Sequence, residues 1–159
     1  SLADGGLPRR QDIDPLKIHP RILPHICLMQ FAENRRRIRF RLAGTAFRDM
    51  NAREITGGYL DQVPYKIMGS NQRYLDHLMG IYLQVSAARR PAYSAGRYVF
   101  SAQDRYVDTE RITFPLNEDE DGEVSFIGIQ IYKPDWEDGH PPLNVETSDD
   151  YRIQTLRLL

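Results

Sequence analysis

The sequence has few of the features that mark disulfide-stabilised, membrane-spanning or nucleic-acid-binding proteins. Its 159 residues include one cysteine, Cys27, so no intramolecular disulfide can form, and we expect a reducing, cytoplasmic setting. No apolar run approaches the roughly 20 residues that a membrane-crossing helix needs. Lysine and arginine number 21 against 22 acidic residues, for a formal net charge of −1. This balance argues against a nucleic-acid partner, and we expect no membrane partner either.

Signals for metal binding and catalysis are also missing. The four histidines stand at 19, 25, 77 and 140, without the spacing of a zinc site. The segment NEDEDG, 117–122, begins like a calcium loop, but its twelfth position is Gly128 instead of glutamate, so a hairpin turn is predicted. Gly57-Gly58 lacks the lysine of a phosphate loop, and no nucleophile-elbow sequence occurs. We predict no metal site and no catalytic residue.

The residues that are present predict five strands. Segments 25–32 and 123–132 are apolar on both faces, which is typical of central strands. Segment 36–42 alternates arginine with apolar residues and follows the polar turn ENRR, so it forms a hairpin with the first strand. Segments 92–101, with Gly96 at a bulge, and 106–116 complete the set.

Helical signals lie between the second and third strands. A short helix is predicted over 46–50, and a long one begins after Ser70, carries an apolar stripe through Tyr74, Leu78 and Tyr82, and stops at Pro91. A Pro-rich arm, 1–24, precedes the domain, with Asp14 capping a short helix over 15–18. A tail, 133–159, ends in a segment predicted as a helix capped by Ser148, with a strand added to a neighbour as the alternative.

This order of elements resembles that of a PAS domain. Four blocks are similar to those of one bacterial subfamily of PAS-like proteins: LPRRQDIDP followed by LPHI, RFRLAGT, ITGGYLD, and the Pro115-Leu116 pair of the fourth strand. The resemblance covers 7–132. It implies an α+β fold with a five-stranded antiparallel sheet in the order 2-1-5-4-3 and helices on one face. The domain is then 25–132, flanked by the arm and the tail.

The resemblance also implies a sensory or regulatory module that binds a small apolar ligand or a partner protein in or around a pocket between the sheet and the helices. The residues expected to line that pocket are apolar or aromatic, with one histidine: Phe40, Leu42, Phe47, Met50, Tyr59, Tyr74, His77, Leu78, Tyr98, Ile112 and Phe114. Haem is disfavoured because His77 lies at the edge of the helical stripe. Flavin photochemistry is disfavoured because the short helix has no cysteine. Beyond these two, the sequence does not identify a cofactor.

The two central strands have a further consequence. If helices cover one face of the sheet, the other face remains apolar along these strands, and a patch of that size rarely stays exposed in a monomer. We therefore expect a homodimer that uses this face, with the arm or the C-terminal segment as alternative covers. The downstream signalling partner is not identified by the sequence.

Two other functions stay open at this stage. The first is a small α+β enzyme, such as an isomerase or cyclase, which requires His77 and a carboxylate such as Asp61 or Asp76 in one cavity. The second is a ligand-free dimerisation scaffold. Glu110, on the strand face of Ile112 and Phe114, is either a buried carboxylate or part of an outer-face ion-pair ladder with Arg39, Arg41 and Asp108.

Overall fold

The computed structural model describes residues 6–63, 71–100, 105–119, 122–134 and 152–159, and the following concerns these residues. Side chains at 71–74, 96–100, 105–106, 134 and 152–158 are not part of the description. Six strands and two α-helices are present: β1 (Ile26–Ala32), β2 (Arg37–Ala43), α1 (Thr45–Asn51), α2 (Asn71–Ala88), β3 (Ala92–Phe100), β4 (Arg105–Pro115), β5 (Ser125–Pro134) and β6 (Arg152–Leu158).

The strands form one antiparallel sheet in the order β2-β1-β5-β4-β3-β6. The first five strands have the predicted order, with β1 and β5 in the middle. The C-terminal segment does not form the predicted helix but a sixth strand that pairs with β3, so of the two alternatives open from the sequence the strand is the one observed. The register between β3 and β6 shifts opposite Ala95 and Gly96, but the extra residue is Gln154 on β6, and Gly96 pairs regularly with Thr109 on β4, so the bulge predicted at Gly96 is not found there.

The β1–β2 hairpin turns through three residues in the left-handed region, Glu33, Asn34 and Arg35, with φ of 53°, 56° and 63°. Positive φ is uncommon outside glycine, although asparagine tolerates it better than most residues. The polar turn predicted from ENRR is therefore confirmed. It brings β2 back along β1 with Phe31 opposite Ile38 and Met29 opposite Phe40.

The N-terminal arm consists of short 3₁₀ turns. In the turn Pro15–Lys17, the Asp14 side chain accepts a hydrogen bond from the Leu16 amide at 3.0 Å, as its capping role requires. The last turn, Leu23–His25, packs against the start of α1, and a ring nitrogen of His25, Nδ1, lies 3.0 Å from the Gln130 carbonyl oxygen on β5. The arm thereby leads directly into the central strand.

The two α-helices lie on one face of the sheet. From α2, Leu78, Ile81, Tyr82 and Val85 are buried, and these positions i, i+3, i+4 and i+7 lie along one side of the helix. None of the helices in the described part of the chain combines the length and the apolar character needed to cross a membrane. The core therefore sits between α1, α2 and the inner, helix-facing side of the sheet.

Candidate functional site

The interior between the helices and the sheet contains one continuous apolar cluster. Four of the predicted pocket residues, Phe40, Phe47, Met50 and Leu78, are buried in it. Phe126 at its centre packs against Phe31 with ring centroids 5.1 Å apart and against Tyr82 at 5.2 Å. Side chains that meet in this way contribute both buried area and aromatic contact to stability. These four residues therefore belong to the packed core, and their contact with a ligand stays a prediction.

A chain of polar contacts runs through this apolar cluster. The Tyr82 hydroxyl on α2 donates to the Met29 sulfur on β1 at 3.0 Å and accepts from Arg111 Nη1 on β4 at 2.9 Å. Arg111 Nε donates to the Gln130 side-chain oxygen on β5 at 2.6 Å. Because these bonds join the long helix to three strands, a displacement of α2 would also displace the side chains on these strands that are bonded to it.

Sequence reasoning missed this chain. Tyr82 is predicted only as part of the helical stripe, and Arg111 is not among the predicted site residues. The signal available in the sequence was the alternation of β4 side chains, which places Thr109, Arg111 and Thr113 on the face opposite Ile112 and Phe114. Thr109, Thr113 and Gln130 are buried, so the polar side of β4 and the polar residue of β5 face the helices.

Three predicted pocket residues lie on the other side of the sheet. Thr113 and Arg111 face the helices, so the intervening Ile112 and Phe114 face outward. Leu42 is 49% exposed and pairs with Leu28 beyond an irregularity in the β1–β2 register. The expectation that Leu42, Ile112 and Phe114 line the helix-side pocket is therefore wrong.

The remaining predicted pocket residues are distributed differently. Tyr59 lies at the β2 edge, where it is bridged to Arg39, and the Arg37 guanidinium stacks on its ring 3.6 Å from the centroid. His77 on α2 is half-buried, and burial lowers the pKa of its imidazole. The side chains of Tyr74 and Tyr98 and the predicted cap Ser70 lie outside the described residues.

Glu110 lies on the outer face of the sheet, the second of its two predicted positions, but its ion-pair partner is not one of the predicted ones. Its carboxylate accepts from Lys133 on β5, instead of Arg39 or Arg41. This contact holds the pKa of Lys133 above its usual range. Because Glu110 and Lys133 are both substantially exposed, the pair contributes little to stability.

The outer face carries a continuous apolar band. Its members come from β1, β2, β4 and β5 and adjoin one another in the strand register: Leu28, Leu42, Ile112, Phe114, Ile127, Ile129 and Ile131. Ile131 is 47% exposed, Leu42 is 49% exposed, and the other five are half-buried. We refer to these seven residues as the outer band.

A separate cleft opens beside the end of the β1–β2 hairpin, between β2, the 3₁₀ turn Leu60–Gln62 and α2. Its volume is about 200 Å³. Ile38, Leu60, Leu75 and Met79 supply its apolar lining, and a second set supplies its charge: Arg36, Arg37, Asp61 and Asp76. These residues come from three distant parts of the sequence, which explains why no local pattern identified the cleft.

One charged wall of the cleft is held by several contacts. Arg37 Nη2 lies 2.9 Å from both Asp61 carboxylate oxygens, and its Nη1 donates to Glu33 at 3.0 Å. The guanidinium also stacks on the Tyr59 ring. The hydrogen bond to Asp61, with the help of Glu33, holds the pKa of Arg37 above its usual range. Arg37 and Asp61 therefore form a fixed, mutually neutralised pair.

Comparison with known protein families gives a match over residues 2–131, to the PAS domain. The chain belongs to the PAS domain family. The match includes the N-terminal arm as well as the first five strands. Comparison with curated proteins gives no match.

PAS domains are sensory and regulatory modules that are generally non-catalytic, so this PAS domain has a sensory or regulatory role. Within the described residues, no three His, Cys, Asp or Glu side chains are grouped so as to hold a metal ion. The enzyme alternative required His77 and a carboxylate in one cavity. Asp61 and Asp76 both line the cleft, but His77 is not among its lining residues.

Proposed function

We propose that this PAS domain is a non-catalytic module that receives its input on the helix side of the sheet and passes it to a second copy of itself through the outer band. The observation that carries the proposal is the outer band itself, a continuous apolar surface on the side of the sheet opposite α1 and α2. Burial of such a surface is the main driving force for association.

The size of the outer band is suited to the centre of an interface. Strands about 4.8 Å apart and outward residues about 7 Å apart along each strand give the band roughly 400 Å². A stable complex buries about 800 Å² on each partner, usually as an apolar centre within a polar rim. The band therefore accounts for the apolar half of such an interface.

A second copy is the occupant that best fits this surface. An apolar sheet face is complementary to another face of the same kind, and two such faces pack with their strands nearly aligned. Charges of both signs border the band, Arg39 and Lys133 as well as Asp108 and Glu110, so two identical surfaces offer each other opposite charges. An isologous dimer needs this kind of self-complementarity.

Coupling between the two sides of the sheet is supported by the polar chain through Tyr82 and Arg111. Arg111 and Ile112 are neighbours on β4, with the first facing α2 and the second in the outer band. A shift of α2 that moves Arg111 would therefore move part of the outer band. This is a short physical route from the helix side to the contact surface.

The test is the oligomeric state of Ile131→Lys, measured by sedimentation velocity over a range of protein concentrations. Ile131 pairs directly with Glu110 across the strands, so a lysine there gains an opposite charge and the monomer should stay folded. We expect wild type at twice the 18.5 kDa chain mass and the variant to associate at least about tenfold more weakly.

The matched control is Leu83→Lys, because Leu83 is also an exposed leucine-sized residue, at 43%, but lies on α2. It should associate like wild type. A wild-type monomer at all concentrations, or equal weakening in both variants, would refute the proposed contact. Circular dichroism melting verifies that each variant is folded.

A further inference from the structure

The cleft beside the β1–β2 hairpin has an apolar floor and a charged rim. Four apolar side chains line it, all of them buried or half-buried: Ile38, Leu60, Leu75 and Met79. Because they are withdrawn from solvent, they form the floor. The other lining residues are two arginines and two aspartates, which form the rim. The floor favours an apolar part in a ligand, and the rim decides which charge the ligand carries.

Three of the four charged residues on the rim already have partners. Arg37 and Asp61 neutralise each other in a fixed pair, so they shape the cleft without contributing net charge. Asp76 has an interaction partner of its own, so it is not available to a ligand. Arg36 is exposed, and among the described residues no carboxylate forms an ion pair with it. The charge that the rim offers to a ligand is therefore that of Arg36.

A single unpaired arginine favours a carboxylate as the charged group of the ligand. Its guanidinium is planar and always charged, and its N–H donors form a fork that matches the two oxygens of a carboxylate. A phosphate group carries nearly two negative charges at neutral pH. Among the described lining residues, Arg36 has no second unpaired cation beside it to balance that charge. The rim therefore favours a monoanion.

The volume limits the size of that ligand. Pockets for drug-sized molecules usually measure about 300 to 1,000 Å³, and this cleft has about 200 Å³. It is too small for a haem or a flavin, but a small molecule with a short branched aliphatic group fits such a space. The apolar floor disfavours ligands whose side chain is polar, since that side chain would lose its hydration without a partner.

We infer that the cleft binds a small aliphatic monocarboxylate. The ligand carboxylate pairs with Arg36, and its short branched chain packs on the floor, against Leu60, Leu75 and Met79. This inference names the input of the sensory role proposed above and rests on that role, but it does not depend on the outer-band contact.

The position of the cleft gives this ligand a way to act on α2. Leu75 and Met79 lie about one turn apart on α2, and Tyr82 follows on the same helix. A ligand whose carboxylate is held by Arg36 on the hairpin and whose chain packs on these residues would fix the position of α2 relative to β2. The Tyr82–Arg111 contact lies about one turn beyond Met79 and carries that constraint to β4.

The experiment is isothermal titration calorimetry of the full chain with 4-methylpentanoate as the probe. Two analogues each remove one recognition element: 4-methylpentanamide keeps the shape but lacks the charge, and acetate keeps the carboxylate but lacks the branched chain. We expect 4-methylpentanoate to bind with a dissociation constant below about 1 mM and each analogue to bind at least about tenfold more weakly, since a charge-assisted hydrogen bond contributes about one to two powers of ten.

One variant tests the role of the arginine. Arg36→Gln should weaken 4-methylpentanoate at least about tenfold but leave the weak binding of 4-methylpentanamide unchanged, because only the carboxylate loses its partner. The matched control is Arg41→Gln, since Arg41 is an exposed arginine of β2 that does not line the cleft. This control should bind 4-methylpentanoate like wild type.

A second variant tests the floor. Met79→Glu places a carboxylate among the apolar lining, where it would repel the ligand and compete with it for Arg36, so 4-methylpentanoate should bind at least about tenfold more weakly. The matched control is Leu83→Glu, because Leu83 is an exposed residue of α2 outside the cleft. This control should bind like wild type, and circular dichroism verifies that each variant is folded.

The opposite outcomes are equally defined. Acetate that binds as tightly as 4-methylpentanoate would indicate a bare anion site, and 4-methylpentanamide that binds as tightly would indicate an apolar pocket without charge recognition; either would overturn the inference. No binding of 4-methylpentanoate at about 10 mM, or binding unaffected by Arg36→Gln, would also overturn it. Repeating the titration with Ile131→Lys separates this result from the dimer, because that variant retains the whole cleft.

Discussion

At the scale of single residues, Cys27 shows how strongly the interior disfavours a charged side chain. It is fully buried, with its sulfur 3.8 Å from that of Met29, and burial raises the pKa of the thiol from 9.0 to about 11, against a smaller lowering effect of Arg111. The folded protein therefore keeps the thiol proton over a pH range in which the unfolded chain loses it.

This difference predicts a loss of stability in alkali. Below pH 9 both states hold the proton and the contribution of the thiol to stability is fully present; as the pH rises from 9 to 11, only the unfolded state releases it, so the free energy of unfolding falls. A shift of this size corresponds to about 2–3 kcal/mol. Urea unfolding at pH 8.5 and pH 11 measures the fall.

Other groups also titrate in this range, so the comparison is with Cys27→Ala. The substitution leaves a small cavity whose cost does not depend on pH, and it removes the thiol titration. Wild type should therefore lose more stability than Cys27→Ala over the same interval. Equal losses in the two proteins would contradict the buried, protonated thiol.

At the scale of elements, Gly44 determines how the arm joins the domain. It precedes α1, and its amide donates to the Ile26 carbonyl at 2.8 Å. A Cβ at this position would overlap the backbone of the turn Leu23–His25, at the carbonyl oxygen of Pro24 and 2.7 Å from that of Leu23. The close approach of two backbones explains why a glycine is needed, since its φ of −67° is open to any residue.

We expect Gly44→Ala to destabilise the protein by about 2 kcal/mol or more, because backbone atoms must move to relieve the overlap. The matched substitution is Gly80→Ala on α2, where nothing lies within 4 Å of the added Cβ. That change should stabilise by roughly 0.5–1 kcal/mol, since alanine is the better helix former. Urea denaturation of both variants measures the contrast, and a neutral Gly44→Ala would contradict this packing.

The sequence predicted which segments form strands better than it predicted on which face of the sheet their side chains lie. Strand existence followed from apolar runs, and the order of the five strands followed from the PAS resemblance. The phase of β4 was misjudged because its more apolar set, including Ile112 and Phe114, faces outward while Arg111 and two threonines face the helices. The hydrogen bond from Arg111 to Tyr82 joins residues 29 positions apart and leaves no local signal.

The C-terminal segment illustrates the same limit. Acidic residues before it and apolar residues within it are compatible with a helix capped at Ser148. The edge of β3 offers a row of backbone hydrogen-bond donors and acceptors. When Arg152–Leu158 forms a strand along that edge, its own backbone groups make hydrogen bonds with them. Tertiary context thereby overrides local propensity. The cleft was unpredictable for a related reason, since its lining residues are far apart in the sequence and Arg36 is predicted only as part of the hairpin.

At the scale of the whole molecule, the structure separates two surfaces. The helix side contains the core, the polar chain and the rim of the cleft, and the opposite side contains the outer band. Layers in proteins pack about 10 Å apart, so a signal entering at α2 has only the thickness of one sheet to cross. The central claim is that two copies meet through the outer band with their helices pointing away from each other.

That arrangement is tested most directly by the distance between identical spin labels in the two copies, measured by double electron–electron resonance. One protein carries its label at Ile131→Cys in the outer band, the other at Leu83→Cys on α2, and the buried Cys27 stays unlabelled. We predict a distance at least about 20 Å shorter at 131 than at 83, because each helix layer adds about 10 Å. A shorter distance at 83, or no intermolecular signal from either protein, would contradict the account.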